Sequence, residues 1–222
     1  MLITNCPNCG AEVTFRSPAL PIKVCDYCHT AVMRIEDGVR DMGKIAVLPY
    51  DISPVQIGTR GQVDGQNFDI IGRVRWGWGD GFWNEWLMLF ADGAHGWLGE
   101  AMGDFMYLRE QDVAKLRSKL LRGLVAGGTA SPGDEGQEQG VVYKVVDQRQ
   151  ATCVGSEGEL PFTAPANWTV YNVDLRSSGG ECASFQRDGD TSSVYIGRYV
   201  TLADVKATNL RAIEGWAMPA FA

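Results

Sequence analysis

Histidine is scarce in this sequence, and the common catalytic motifs are missing from it. The 222 residues include only two histidines, His29 and His95, and neither belongs to a recognisable pairing of a nucleophile with a base. The chain has no G-x-S-x-G, P-loop or H-E-x-x-H motif, and Gly77-Trp78-Gly79 does not open a predicted helix. These absences argue against hydrolases, P-loop enzymes and metalloproteases, so we expect a protein without catalytic residues.

Long apolar runs and an excess of positive charge are also missing. No stretch approaches the roughly 20 apolar residues of a membrane-spanning helix, and Met1–Cys6 has neither the basic nor the apolar region of a signal peptide. The formal net charge is −7, and residues 1–40 carry four basic against four acidic side chains. Binding to nucleic acid needs a basic surface. We therefore expect a cytoplasmic protein that does not bind nucleic acid.

Helix-forming runs are scarce, whereas glycines and alternating apolar residues are abundant. The 27 glycines accompany two runs of predicted strands, at 55–108 and 141–204, separated by turn signals such as Asp64-Gly65. Apolar side chains occupy every second position from Phe68 to Trp78, and the order of strands and turns in the second run echoes the first. We expect a mainly β fold in which a duplicated antiparallel β-meander forms a sandwich or a barrel.

The predicted organisation has four parts. They are a zinc ribbon (1–40), a first β-meander (41–108), a helix with a mobile loop (109–140), and a second β-meander with the C-terminal tail (141–222). Apolar residues at helical spacing alternate with basic ones between Arg109 and Arg122, which predicts one amphipathic linking helix. This helix either packs on the sheet or makes a peripheral membrane contact. Trp216 in the tail is expected to fold back onto the core.

Two Cys-x-x-Cys pairs near the N-terminus define the clearest chemical site. The four cysteines are Cys6, Cys9, Cys25 and Cys28, and the spacing between the pairs is typical of a zinc ribbon. Four thiolates complete a tetrahedron around one zinc ion and leave no open position for a substrate, so the ion is predicted to be structural. His29 follows the second pair but is not needed as a ligand. Cys153 and Cys182 are predicted to be buried free thiols.

A dense aromatic cluster surrounds the turn at Gly79-Asp80-Gly81. Trp78, Phe82 and Trp83 lie nearest to this turn. They are interpreted either as core residues or as an exposed patch. A patch would mark a surface for a partner protein or an aromatic cage for a cation.

Glu85 is the carboxylate in the most apolar setting. Because it alternates with large apolar side chains, it is expected to be partly buried with a raised pKa. Arg73 or Arg75 on the neighbouring strand is expected to pair with it. A structural ion pair is the simpler interpretation and catalysis is the alternative, and Glu159 has the same status.

Several motifs occur together along the chain. They are Gly58-Thr59-Arg60-Gly61, Asp64-Gly65, the run from Phe68 to Trp76, Trp83-Asn84-Glu85-Trp86, Asp92-Gly93, Gly96-Trp97-Leu98, Gly158-Glu159-Leu160-Pro161, Asn209-Leu210-Arg211 and Glu214-Gly215-Trp216. In this combination they resemble a bacterial family of unknown function, DUF4178. The resemblance implies a zinc ribbon ahead of the β domain, a link to membrane-stress systems and no defined activity. It also implies a glycine at the position that His29 occupies.

Three functional hypotheses follow for the chain. The first is a non-enzymatic adaptor or assembly component that contacts other proteins through the ribbon and the aromatic turn at 78–83. The second is a sensor that binds a small cationic metabolite such as a polyamine in an aromatic cleft. The third is an enzyme that uses Glu85. A concave, acidic, tryptophan-lined pocket would favour the second hypothesis, a flat apolar patch the first, and a cleft that joins Glu85 to His95 the third.

Overall fold

A computed structural model describes residues 1–49, 52–215 and 217–218 of the chain. Its strands are β1 (Leu2–Asn5), β2 (Glu12–Phe15), β3 (Ile22–Val24), β4 (Thr30–Ile35), β5 (Gly38–Lys44), β6 (Arg60–Val63), β7 (Gln66–Trp78), β8 (Gly81–Phe90), β9 (His95–Ala101), β10 (Asp104–Gln111), β11 (Glu135–Glu138), β12 (Val141–Leu160), β13 (Thr169–Arg176), β14 (Glu181–Asp188) and β15 (Thr191–Val200). The helix α1 (Lys119–Val125) follows a 3-10 turn at Val113–Lys115. Trp216, expected from the sequence to pack on the core, lies outside the described residues.

Eight of these strands close into an antiparallel β-barrel. The strands β7 to β10 form one four-stranded meander and β12 to β15 form another. The first strands of the two meanders, β7 and β12, pair with each other, and so do their last strands, β10 and β15. Closure pairs the outer strands of both meanders, which would otherwise be exposed sheet edges. The prediction of two meanders in a sandwich or barrel is confirmed as a barrel, while the duplication of the sequence remains a prediction.

The 20-residue strand β12 connects both meanders of the barrel, β11 and the ribbon sheet. Its first residues pair with β11, its middle pairs with β13 and β7, and its end pairs with β3 of the N-terminal ribbon. The last pairing joins Glu159 to Lys23 and Leu160 to Ile22. The ribbon sheet of β3, β4 and β5 is therefore a direct extension of the barrel wall.

The alternation predicted for β7 does not persist along the whole strand. A β-bulge interrupts its pairing with β8 between Ile70 and Gly72. Such a bulge adds one residue and reverses which face the following side chains occupy. Phe68 and Ile70 consequently pack in a cluster outside the barrel, whereas Val74 and Trp76 pack inside it. The single apolar face predicted from Phe68 to Trp78 is therefore wrong.

The helix predicted between Arg109 and Arg122 is also wrong in extent. The strand β10 continues to Gln111 because that residue still pairs with Val194 of β15. The α-helix begins only after Ser118, whose side chain accepts a hydrogen bond from the Leu121 N–H. Leu121 and Leu124 are buried against the second meander, so the apolar side of α1 is already covered by protein.

The loop predicted to be mobile after this helix contains regular structure. Residues Glu135–Glu138 form β11, which pairs with β12. The buried carboxylate of Glu138 accepts hydrogen bonds from the N–H groups of Arg117 and Ser118, both at 2.8 Å. These contacts hold the segment before α1 against the barrel. Among the described residues, no helix is long and apolar enough to cross a membrane.

Candidate metal centre and barrel cavity

The two cysteine pairs lie on two tight turns that repeat the same backbone geometry. The N–H of Gly10 donates to the Cys6 carbonyl at 2.9 Å, and the N–H of His29 donates to the Cys25 carbonyl at 3.0 Å. Gly10 and His29 both have a positive φ, +76° and +56°. His29 therefore occupies a left-handed backbone position that favours glycine, which explains why a glycine was expected there.

The four thiols of these turns form a compact cluster. The Sγ atoms of Cys6 and Cys28 are 3.6 Å apart, and those of Cys9 and Cys25 are 3.8 Å apart. All four sulfur atoms lie within 4.8 Å of one another. Metal–sulfur bonds of about 2.3 Å in a tetrahedron require sulfur atoms roughly 3.8 Å apart, so the cluster fits one tetrahedral ion. The predicted ligand positions therefore converge, and the four cysteines can bind a metal ion.

Hydrogen bonding around the cluster favours the thiolate form of one ligand. The Sγ of Cys28 lies 3.3 Å from the Thr30 hydroxyl, and Thr30 Oγ1 also accepts a hydrogen bond from Asn8 Nδ2 at 3.1 Å. The contacts with Thr30 and Asn8 lower the pKa of the Cys28 thiol to about 5. A thiolate is the form that binds a metal ion.

The shared turn geometry predicts opposite effects of two exchanges. Replacing His29 with glycine should stabilise the metal-loaded protein by about 0.5 kcal/mol, because relief of the left-handed strain exceeds the extra entropy of the unfolded chain. Gly10→Ala should destabilise it by about 1 kcal/mol, through the backbone alone, since no heavy atom lies within 4 Å of the added Cβ. Thermal unfolding of both variants at equal metal loading checks this. Shifts of the same sign would contradict the strain argument.

The buried thiols predicted at Cys153 and Cys182 are confirmed. Both are free and fully buried, and both belong to the cluster inside the barrel. Burial raises the pKa of Cys153 to about 11 and that of Cys182 to about 12. Neither thiol is therefore poised for nucleophilic chemistry.

A cavity of about 230 Å³ occupies one end of the barrel. Its lining includes Trp78 and Met102, which lie at the turns between β7 and β8 and between β9 and β10, and Met102 is 99 % exposed. Four carboxylates and two guanidinium groups line the cavity. The carboxylates belong to Glu85, Asp104, Asp147 and Asp174, and the guanidinium groups to Arg149 and Arg176. The carboxylate of Glu100 lies on the outer face of the wall, where it accepts hydrogen bonds from Asn84 and Trp86. The cavity is therefore acidic.

Both cavity arginines are engaged by other side chains. Arg149 forms an ion pair with Asp147 and lies over the ring of Trp78, 4.2 Å from its centroid. Arg176 lies 4.5 Å from the ring centroid of Tyr199. Because both guanidinium groups have other partners, the carboxylates of Glu85 and Asp174 are stabilised mainly by hydrogen bonds from neutral groups.

Glu85 accepts three hydrogen bonds from neutral donors. Its Oε2 accepts from Trp76 Nε1 at 2.8 Å, and its Oε1 accepts from Trp83 Nε1 at 3.0 Å and from Gln186 Nε2 at 2.6 Å. Burial raises the pKa of Glu85 in spite of these bonds, and the charge of Asp174 adds to the effect. Burial likewise raises the pKa of Asp174. Two carboxylates with raised pKa values thus share one cavity.

The predicted pairing of Glu85 with an arginine is wrong. Arg73 and Arg75 project from the opposite face of β7, because their strand partners are Trp86 and Asn84 rather than Glu85. Arg73 instead donates to the side chains of Asn84 and Glu157. The strand register therefore separates both arginines from the cavity.

The aromatic residues of the predicted patch lie on different sides of the barrel wall. Trp78 and Trp83 line the cavity with ring centroids 5.6 Å apart. Phe82 points outward, is 51 % exposed and packs under the guanidinium of Arg75, 3.6 Å from its ring centroid. The residues thus do not form one continuous surface, and two of them belong with Glu85.

Asp174 and Gln186 are cavity residues that the sequence interpretation missed. Asn172, Asp174 and Arg176 occupy every second position of β13, so a polar stripe was visible in the sequence. Gln186 is 101 residues from the carboxylate that it contacts. Only closure of the barrel brings these positions together.

Glu159 and His95 lie where the ribbon meets the barrel and not in the cavity. Glu159 is 2 % exposed, and its two carboxylate oxygens accept from the N–H groups of Arg16 and Ser17 at 2.6 and 2.9 Å. The Ser17 hydroxyl lies 3.2 Å from Nε2 of His95. Burial, with the nearby Arg109 charge, lowers the pKa of His95. Glu159 therefore binds the backbone of the ribbon, and the predicted ion pair is absent from its described contacts.

Comparison with known proteins identifies a family. Residues 56–202 match the family described as "Domain of unknown function (DUF4178)". The matched region contains β6 to β15 and hence the complete barrel, but not the ribbon. Neither the curated proteins nor the solved structures give a match.

Proposed function

The chain belongs to the DUF4178 family, and we propose from its geometry that the barrel is a non-enzymatic receptor for a small organic cation. The ligand would place an ammonium group beside Glu85 and Asp174. The N-terminal cysteines would hold one structural zinc ion. Since all six cysteines are free thiols, we further propose a reducing compartment, the cytoplasm, as the site of action.

The observation that carries this proposal is the pair of carboxylates in a tryptophan-lined cavity. Burying carboxylates is costly unless a cation or several hydrogen-bond donors compensate. The donors to Glu85 are neutral and its pKa is raised, so a bound cation would add stabilisation that the protein alone does not supply. Trp78 and Trp83 present aromatic rings to the same space, and aromatic faces attract organic cations.

The other two hypotheses are supported less well. A flat apolar patch would have favoured an adaptor, but Trp78 and Trp83 line a concave space while Phe82 is separated from them. An enzyme using Glu85 and His95 would need both residues in one cleft, and His95 contacts Ser17 at the ribbon instead. The concave, acidic and tryptophan-lined space corresponds to the cation-binding alternative.

Zinc is the metal that best suits the ligand set. Four thiolates in tetrahedral arrangement are typical of structural zinc, although iron also accepts such a site. The residues that would hold the ion are Cys6, Cys9, Cys25 and Cys28. The ion would fix the two turns and, through them, the ribbon that is joined to β12.

Binding of hexylammonium, with hexanol as the uncharged control, tests the receptor proposal. We expect hexylammonium to quench tryptophan fluorescence saturably and hexanol to bind much more weakly. Glu85→Gln and Asp174→Asn should each weaken binding about tenfold, whereas Asp190→Asn, which removes an exposed charge outside the cavity, should leave it unchanged. Because a proton competes with the cation, affinity should also fall as the pH is lowered through the raised pKa values.

Two results would refute the receptor proposal. One is the absence of saturable binding in the folded wild-type protein. The other is equal binding of hexanol and hexylammonium, because that would show that the cavity recognises the alkyl chain and not the charge.

A further inference from the structure

A second cavity lies at the other end of the barrel. Its volume is about 570 Å³, and its walls include Phe162 and Trp168 from the connection between β12 and β13. Three side chains, Trp97, Gln186 and Tyr195, line both this cavity and the one that holds Glu85. The two cavities are therefore neighbours, separated by side chains alone.

A continuous series of aromatic contacts connects the two cavities. Trp97 stacks on Phe162 with ring centroids 6.0 Å apart, and the ring centroids of Phe162 and Trp168 are 5.4 Å apart. The ring centroids of Trp168 and Trp76 are 5.1 Å apart, and those of Trp76 and Trp83, which lines the first cavity, are 6.3 Å apart. An aliphatic chain lying along this wall would bury its methylene groups against aromatic surface, which stabilises the bound chain.

The second cavity is acidic at its rim. Glu110 and Asp188 line it, and the described residues of its lining include no lysine or arginine. Asp188 lies on β14, four residues beyond Ser184, which pairs with Asp174 in the first cavity. Four residues of a strand span roughly 13 Å. The carboxylates of the two cavities are thus separated by a distance that an alkyl chain can bridge.

We propose that the two cavities form one elongated site for a linear diammonium compound. This inference rests on the receptor function proposed above and specifies its ligand. One ammonium group binds beside Glu85 and Asp174, the alkyl chain follows the aromatic wall past Gln186, and the second ammonium group reaches Glu110 and Asp188. The site therefore selects its ligand by charge at both ends and by length.

The test compares α,ω-diaminodecane with decylammonium and with α,ω-diaminobutane by titration calorimetry. The rim variant Glu110→Gln/Asp188→Asn should lower the affinity for diaminodecane about fivefold. The affinities for decylammonium and diaminobutane should stay unchanged, because only the long diammonium compound reaches the rim. A control variant, Glu36→Gln/Asp190→Asn, removes the same net charge from exposed positions outside both cavities. It should change none of the three affinities. Thermal unfolding confirms that both variants are folded.

The possible outcomes separate this inference from the receptor proposal. If the rim variant alters no affinity, or weakens decylammonium as much as diaminodecane, the elongated site is refuted while binding at Glu85 stands. An equal effect of the control variant would likewise refute it, as a general effect of charge. If none of the three probes binds the wild-type protein, the receptor proposal itself fails.

Discussion

Replacing Cys25 with serine is expected to abolish metal binding and to unfold the ribbon, residues 1–44, while the barrel keeps its eight strands. The ribbon has only small clusters of buried residues, and modules of this size rarely fold without a metal or another cross-link. A structural zinc ion contributes on the order of 10 kcal/mol to the folding of such a module. The two meanders close on each other without contribution from β1 to β5.

Metal analysis and hydrogen exchange check this prediction together. The wild-type protein should carry one zinc ion per chain and Cys25→Ser none. Amide protons of residues 1–44 should lose protection in the variant, whereas those of β8, β9 and β14 should retain it. Cys182→Ser is the matched control because it removes a buried thiol outside the cluster, and it should keep the zinc ion. A Cys25→Ser protein with one zinc ion and a protected ribbon would show that the four thiols are not the site.

Unfolding of the ribbon should also destabilise the end of the barrel that contacts the ribbon. Leu20, from the connection between β2 and β3, packs in the cluster inside the barrel together with Leu160 and Ala164. Unfolding of the ribbon would remove this side chain and leave a cavity, which costs about 2 to 5 kcal/mol for a leucine. We therefore expect Cys25→Ser to lower the unfolding temperature of the barrel as well, without preventing its folding.

How much of this structure was predictable depends on the range of the interactions involved. The four cysteines of the candidate metal site come from two local turns, so their spacing was enough to find the cluster. The strand β7 was visible as an alternating run that begins after the turn at Asp64-Gly65. The segment Trp83 to Phe90 carries apolar residues on both faces, because the barrel has one cluster inside and another outside.

The cavity could not be derived from local sequence because its register depends on distant strands. The bulge after Ile70 reverses the faces of β7, and Gly72 beside it was an ambiguous signal because Gly77 lies in the same strand without a bulge in its pairing with β8. Glu85 was recognised as a partly buried acid, but its partner was expected to be Arg73 or Arg75 of the neighbouring strand. Pairing places those arginines on the outer face and brings Gln186 from the second meander instead.

Glu159→Ala should be the most damaging single substitution at the junction of ribbon and barrel. Its carboxylate accepts hydrogen bonds from the N–H groups of Arg16 and Ser17. Alanine at this position would leave both N–H groups buried without their acceptor. Each such loss costs about 1 to 3 kcal/mol, so we expect a destabilisation of about 3 kcal/mol. Glu159→Gln keeps one accepting oxygen and should lose about half as much.

Glu138 offers a matched control because it makes the same kind of contact elsewhere. Its buried carboxylate accepts the N–H groups of Arg117 and Ser118, which lie before α1. Glu138→Ala should therefore cost a similar free energy of unfolding but expose amide protons at 117–118, whereas Glu159→Ala should expose those at 16–17. Hydrogen exchange shows which amide protons lose protection in each variant.

The position of the exchange effect decides whether Glu159 couples the metal centre to the barrel. If Glu159 couples the two, Glu159→Ala should also accelerate the removal of zinc by a chelator, because the ribbon would separate more often from β12. Glu138→Ala should leave the rate of zinc removal unchanged. Unchanged protection at Arg16 and Ser17 together with an unchanged rate of zinc removal would show that the strand pairing of Ile22 and Lys23 alone holds the ribbon. The ribbon and the barrel would then be joined by main-chain contacts, and the buried carboxylate would stabilise only its own surroundings.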